Sequence, residues 1–351
     1  FATGYASSPT ASQTYERVDS TVTSVTNTNL PIVIIDTYGA TMNDSTHIAG
    51  SATFMNNTGG NPNLLTGTAD YQGRIGIHIR GSTSEGYPKQ QYSIELWNEA
   101  NDDKKVSLLG MPADSDWVLY DPYTELSLMQ NQLAYKWANE TGQYASKTQF
   151  VEVYMSTGGN THVGNTSTIN YSSNYLGVYI LEEKVKDDAN RVDVGEEISA
   201  TNPNGGWVIE QDRYSGNDYF TTSSQHVNLV LEDPDDPSLE SAIANSWDAF
   251  ENALFTGSAG ANQPWDTPGN PDYYGNFIDV NSFVDYFIVN EMTRNIDSFW
   301  LSTFYNKSSE TGLISAGPVW DFNLGLGAPN YNFGSNSAGW DTDTLSPYPG
   351  A

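Results

Sequence analysis

The sequence contains no cysteine. Disulfides, thiolate nucleophiles and thiolate metal sites are therefore excluded together. Histidine is nearly as scarce: His47, His78, His162 and His226 are the whole set, and none has the HxH or HExxH spacing that a zinc hydrolase needs. Basic residues number 14 against 43 acidic ones, a formal net charge of −29. Such a field repels polyanions, so no nucleic-acid partner is expected. Long apolar runs are also missing. The longest plain aliphatic stretch is Ile32 to Ile35, against the ~18 to 20 residues a membrane-crossing helix requires, and no membrane span is expected.

What is present argues for a folded chain. Its 351 residues suffice for two domains, and 22 Tyr, 13 Phe and 9 Trp supply more apolar ring surface than a disordered chain carries. The charge is uneven. Eleven of the basic residues fall between Arg74 and Arg213, whereas from Tyr214 onward 18 acids face two bases. One part could hold a polyanion while the other supplies carboxylates, as a phosphate ligand with bridging divalent cations would require. A merely acidic surface is the simpler reading of the same numbers. The first 29 residues are crowded with Thr, Ser and Asn and begin without Met, as expected of an arm or linker left after processing. With the absence of cysteine, this composition leads to an expectation of export to the cell surface or beyond.

Periodicity predicts the elements. Leu30 to Thr37 reads as a buried strand followed by a polar loop, and Tyr71 to Arg80 and Gln91 to Trp97 as a hairpin of alternating strands. Tyr123 to Glu140 reads as a helix with Leu126, Met129, Leu133 and Trp137 on its apolar face and Gly142 past its end. Strands are expected over Phe150 to Met155, Tyr175 to Leu181, Gly206 to Asp212, Trp300 to Asn306 and Ile314 to Phe322. Helices are expected over Leu239 to Phe255 and Val280 to Thr293, the latter facing inward through Phe283, Phe287 and Met292. The resulting plan has an arm over 1–29, a β-rich first lobe over 30–204 with one long helix, and a more helical acidic lobe over 205–351, expected to be incomplete at its C-terminal end.

Two places could carry chemistry. Arg80-Gly-Ser-Thr-Ser-Glu-Gly86, with Lys89 beyond it, offers backbone N–H groups, hydroxyls and two cations to a phosphate; the same residues also make an ordinary turn. Asn295-Ile-Asp297 lies between a helix and a strand, and Asp321 ends a later strand. Two such carboxylates can share a metal or divide base and metal-binding duties, although a single Asp more often caps a turn.

Taken as an ordered set, several motifs identify a relative. They are Leu30 to Thr37, Gly73-Arg-Ile-Gly-Ile-His-Ile-Arg-Gly-Ser-Thr-Ser84, Pro88-Lys89, Asp116-Trp-Val-Leu119 and Leu128-Met-Gln-Asn131. Leu176-Gly-Val-Tyr179, Asn190-Arg-Val-Asp193, Gly205-Gly206 and Gly317-Pro-Val-Trp-Asp-Phe322 complete them. From about Leu30 to Gly327 the sequence resembles the spore-coat CotH kinase family. The resemblance implies an α+β, divergent bilobal protein-kinase-like fold, with a β-rich N-lobe and a more helical C-lobe. It also implies a kinase that uses ATP with Mg²⁺ or Mn²⁺ to phosphorylate Ser or Thr of secreted or surface proteins. Position by position, it implies that Arg80, Ser82, Ser84, Lys89 and Glu183 bind the nucleotide. Asp297 would be the catalytic acid that orients the acceptor hydroxyl, Lys89 and Asp321 would complete the catalytic set, and Asp321 with Asn323 would hold the metal. Three positions depart from the family pattern: Asn323 stands for Asp, Gln130 for Arg and Gln90 for Lys. These departures keep a second reading open, a non-catalytic surface or filament module that self-associates and keeps the fold as a scaffold.

Overall fold

The computed structural model describes residues 28–57, 62–65, 67–125, 127–157, 174–213, 219–255, 266–329, 334–336 and 338–340. The expected N-terminal arm up to residue 27, most of the loop expected between 156 and 174, and Leu126 lie outside them. Two compact units are present, one of Phe1–Tyr123 with Thr148–Lys184, the other of Thr124–Lys147 with Val185–Ala351.

The first unit is a closed barrel. Strands β1 (Ile32–Asp36), β2 (Ile48–Met55), β3 (Tyr71–Arg80), β4 (Gln91–Trp97), β5 (Asp116–Tyr120), β6 (Thr148–Ser156) and β7 (Tyr175–Glu183) join in the order β1-β2-β3-β4-β5-β7-β6. Every neighbour is antiparallel except β1 and β6, whose parallel pairing closes the ring. Alternate residues fill the interior: Val33 and Ile35, Ile75 and Ile77, Ile94 and Leu96, Trp117 and Leu119, Val151 and Val153, Tyr179 and Leu181. The opposite face of β1 is covered as well, because Ile32 and Ile34 meet Met55, Leu65 and Tyr154. Burial on both faces explains why β1 reads as an unbroken aliphatic run. On β3, Gly76 faces out under the Trp97 indole, and a Cβ there would collide with that ring and with the Cβ of His47. Gly76→Ala is expected to lower stability by about 1–3 kcal/mol through overpacking, seen as an earlier midpoint in denaturant titration.

The second unit is built on a five-stranded antiparallel sheet. Its strands β8 (Trp207–Gln211), β9 (Phe220–Thr221), β10 (Asn228–Asp233), β11 (Thr303–Lys307) and β12 (Ile314–Ala316) run in the order β12-β11-β8-β10-β9. Helix α2 (Glu240–Phe255) packs Ile243, Trp247 and Phe250 onto Trp207, Ile209 and Leu229 of the sheet. Helices α1 (Gln130–Thr141) and α3 (Val280–Thr293) contact one another. Asp279 caps α3 by accepting from the Asn281 N–H, while Gly142 and Arg294 end α1 and α3 in the left-handed conformation.

The bilobal kinase-like fold with a more helical C-lobe is not what forms. The molecule is mostly β: a closed seven-stranded barrel, a second sheet, and three α-helices among the described residues. Alternation identifies strands but not their partners, so it could not show that β1 and β6 meet and close a ring. The polar loop expected after β1 contains β2, whose small residues Ala49, Gly50, Ser51 and Ala52 hide its alternation. The expected strand from Ile314 stops at Ala316, and Gly317 to Phe322 leaves the sheet. The helix faces differ too. Helix α1 buries Asn131, Ala134, Tyr135 and Ala138, and α3 buries Ser282, Tyr286, Val289, Asn290 and Thr293, leaving Met129, Phe287 and Met292 exposed. No helix of the described residues is long and apolar enough to cross a membrane.

Candidate functional site

Within the barrel unit, β3 ends at Arg80 and the chain turns through Gly81, whose positive φ of 113° suits a residue without Cβ. Residues Thr83–Gly86 form a 3₁₀ turn closed by the Tyr87 N–H on the Ser84 carbonyl, with Ser82 exposed and Ser84 half-buried. The Gln90 side chain donates to the Glu85 carbonyl at 3.1 Å and so ties the turn to the start of β4. Lys89 emerges beside it. Its ammonium pairs with the Asp121 carboxylate at 2.7 Å, donates to the Val178 carbonyl at 2.7 Å, and lies 4.2 Å from the centroid of the Tyr179 ring. An ammonium has three N–H donors, so two are committed and one remains. The Asp121 side chain is only 1% exposed. Burial pushes its carboxyl above the usual range, while Lys89 pulls it back. The carboxylate on Lys89 is thus Asp121, which the sequence did not single out. Glu183 is wholly buried in the barrel wall, paired opposite Trp117.

In the second unit, the structure joins the segments carrying Asp297 and Asp321. Asn295 lies just past the left-handed end of α3. Its Oδ1 accepts from the Asp297 N–H at 3.4 Å, and its Nδ2 donates to the Asp321 carbonyl at 3.3 Å. Helix α1 holds the far side: the Asp321 N–H donates to the Tyr135 hydroxyl at 3.2 Å and the Phe322 N–H to Asn131 Oδ1 at 2.8 Å. The Tyr135 ring also stacks on Trp320, with centroids 5.8 Å apart. Asp321 itself has φ of 54°, a conformation uncommon for a non-glycine residue, which persists where its surroundings fix it. The Asp297 carboxyl is raised chiefly by burial; Arg213 draws it down and Asp212 pushes it up. Arg213 and Tyr135 are parts of the site that pattern alone did not reveal, whereas Asn131 stands in the Leu128 to Asn131 motif and Asp212 ends the expected strand from Gly206, a carboxylate suited to an ion pair.

Among the described residues, no three His, Asp or Glu side chains gather as a metal cage. Asn323 Oδ1, however, is buried without a hydrogen-bond partner, and it lies two residues from the Asp321 carboxylate. One carboxylate and one uncommitted carbonyl oxygen suit a small divalent cation whose other ligands are water and phosphate oxygens. Asparagine at this position therefore presents an uncommitted neutral oxygen, with less charge than Asp would bring.

A family model described as CotH kinase protein matches residues 77–349 of the chain. No curated protein matches it.

Proposed function

The chain belongs to the CotH kinase protein family, and on that membership and the geometry above we propose that it is a protein kinase of secreted or surface proteins, working outside the cell that makes it. The observation that carries the reading is the joining of the Asp297 and Asp321 segments through Asn295. Asp297 orients a Ser or Thr hydroxyl and accepts its proton as the hydroxyl oxygen bonds to the γ-phosphorus of ATP; the bond from that phosphorus to the β,γ-bridging oxygen breaks and ADP leaves. Asp321 and Asn323 would hold the divalent cation, which neutralises phosphate charge when bound. The resemblance assigns Arg80, Ser82, Ser84 and Lys89, all in the barrel unit, to nucleotide phosphates, and that assignment rests on the resemblance alone. Glu183 is left out of that set because none of its surface is exposed. The acidic composition and the Thr-, Ser- and Asn-rich first 29 residues support the extracellular setting.

Incubation with γ-labelled ATP and Mg²⁺ or Mn²⁺ tests the reading, with labelled phosphoserine or phosphothreonine as the expected product. A protein that takes up no label and polymerises without nucleotide would be a scaffold instead.

The proton-accepting role also fixes a pH dependence. Asp297 must be ionised, and burial raises its carboxyl above the usual 3.8, so the rate falls as pH falls through that raised value. Arg213→Met removes the cation that draws the carboxyl down, so the acid limb of the rate–pH profile moves to higher pH. Asp212→Asn moves it lower. An acid limb unmoved by both changes would take the proton-accepting role away from Asp297.

A further inference from the structure

We infer that Asn295 is a positioning residue that locks Asp297 and Asp321 into one register by using both ends of its amide; the inference rests on the kinase reading for its consequence but not for its geometry. Asn295 is 3% exposed, so both polar atoms need protein partners. Its Oδ1 takes the Asp297 N–H and its Nδ2 reaches the Asp321 carbonyl. That carbonyl belongs to the same peptide group as the Phe322 N–H, which Asn131 Oδ1 accepts at 2.8 Å. The peptide after Asp321 is therefore held at its oxygen by Asn295 and at its nitrogen by Asn131. The peptide before it is held at its nitrogen by Tyr135. A left-handed Asp between two pinned peptides has its side-chain direction fixed, and Asn295 extends that restraint to the loop carrying Asp297. Only a side chain with one donor and one acceptor can make this link. A separate tie, the Leu326 N–H on the Thr293 carbonyl at 2.5 Å, does not involve the Asn295 side chain. The two segments therefore stay adjacent when that side chain is lost, and what is lost is their register.

Amide hydrogen exchange, with label transfer as a second readout, tests this in the full chain. In Asn295→Ala, exchange at Asp297, whose N–H loses its own acceptor, is expected to quicken by about five- to tenfold, and exchange at Phe322, whose bond to Asn131 remains while its peptide loses the restraint at the Asp321 oxygen, by a smaller factor; the strands of the second sheet keep their protection. In Asn295→Asp the acceptor remains and the donor is gone, so Phe322 quickens and Asp297 does not. Label transfer falls by about 10²-fold in both, as misplacement of reacting groups by about an ångström does, with the loss in kcat rather than KM. Asn295→Gln, which keeps both groups on a longer arm, recovers part of it. Unchanged exchange at both segments in Asn295→Ala, or equal quickening of both in Asn295→Asp, overturns the inference. Exchange needs no nucleotide, so a chain that shows the expected exchange but transfers no label would refute the kinase reading and leave the clamp standing.

Discussion

Asp321→Asn is expected to lower phosphoryl transfer by about 10³-fold with little change in melting temperature. The substitution keeps the shape of the side chain and tolerates the left-handed backbone, where alanine would add a cost of about 1–2 kcal/mol. What disappears is the negative charge offered to the cation. The backbone restraints survive, because Tyr135, Asn131 and Asn295 all bind main-chain atoms around residue 321 rather than its carboxylate. The expected signature is thus a folded protein with its chemistry removed. If Asn323 is the second ligand, as proposed, the variant has two neutral amides there, and raising the Mn²⁺ concentration should restore little. A variant that transfers phosphate at the wild-type rate would move the metal role elsewhere.

Lys89→Met should destabilise the barrel unit. The Asp121 side chain lies in the barrel unit only 1% exposed, and the Lys89 ammonium 2.7 Å away is the cation paired with it. Removing one partner of such a pair leaves a buried charge uncompensated, at a cost of about 3 kcal/mol. For a unit of this size the melting temperature falls by roughly 6–12 °C. The sign of the pH dependence follows from the raised Asp121 carboxyl. Without Lys89 it rises further, and between the unfolded value and this folded value the folded state binds more protons. The deficit is therefore full above the folded value and shrinks as acidification protonates the carboxyl. Lys89→Met with Asp121→Asn should recover most of the loss at neutral pH, since the buried group is then uncharged. If Lys89→Met melts like the wild type at pH 7, the pair is not what holds this part of the barrel together.

Local structure was legible where burial follows a simple period. Tyr71–Arg80, Gln91–Trp97 and Val280–Thr293 have the limits that alternation and helical spacing suggest. The inward faces of the helices were not legible, because they are partly polar. Asn290 donates to the Tyr286 carbonyl and Thr293 to that of Val289, so both bury polar atoms by bonding within their own helix. Asn131 and Tyr135 are buried because they hold the segment that carries Asp321. In both cases a polar residue serves as core, which a hydrophobic pattern cannot register. The two aspartates could be named from their motifs. Two partners could not be named: Arg213 beside Asp297 in the second unit, and, separately, Asp121 on Lys89 in the barrel unit, each far off in sequence and brought close only by strand pairing. Closure of the barrel was hidden for the same reason, since the β1 and β6 contact is parallel and long-range.

Calorimetric titration with ATP, in the presence and absence of Mg²⁺, measures whether Asp321 binds a nucleotide-bound cation. Wild type is expected to bind ATP much more tightly with the cation than without it, and Asp321→Asn to lose this cation-dependent gain while keeping its fold. Binding of equal strength with and without Mg²⁺, or a gain that persists in Asp321→Asn, would contradict that role.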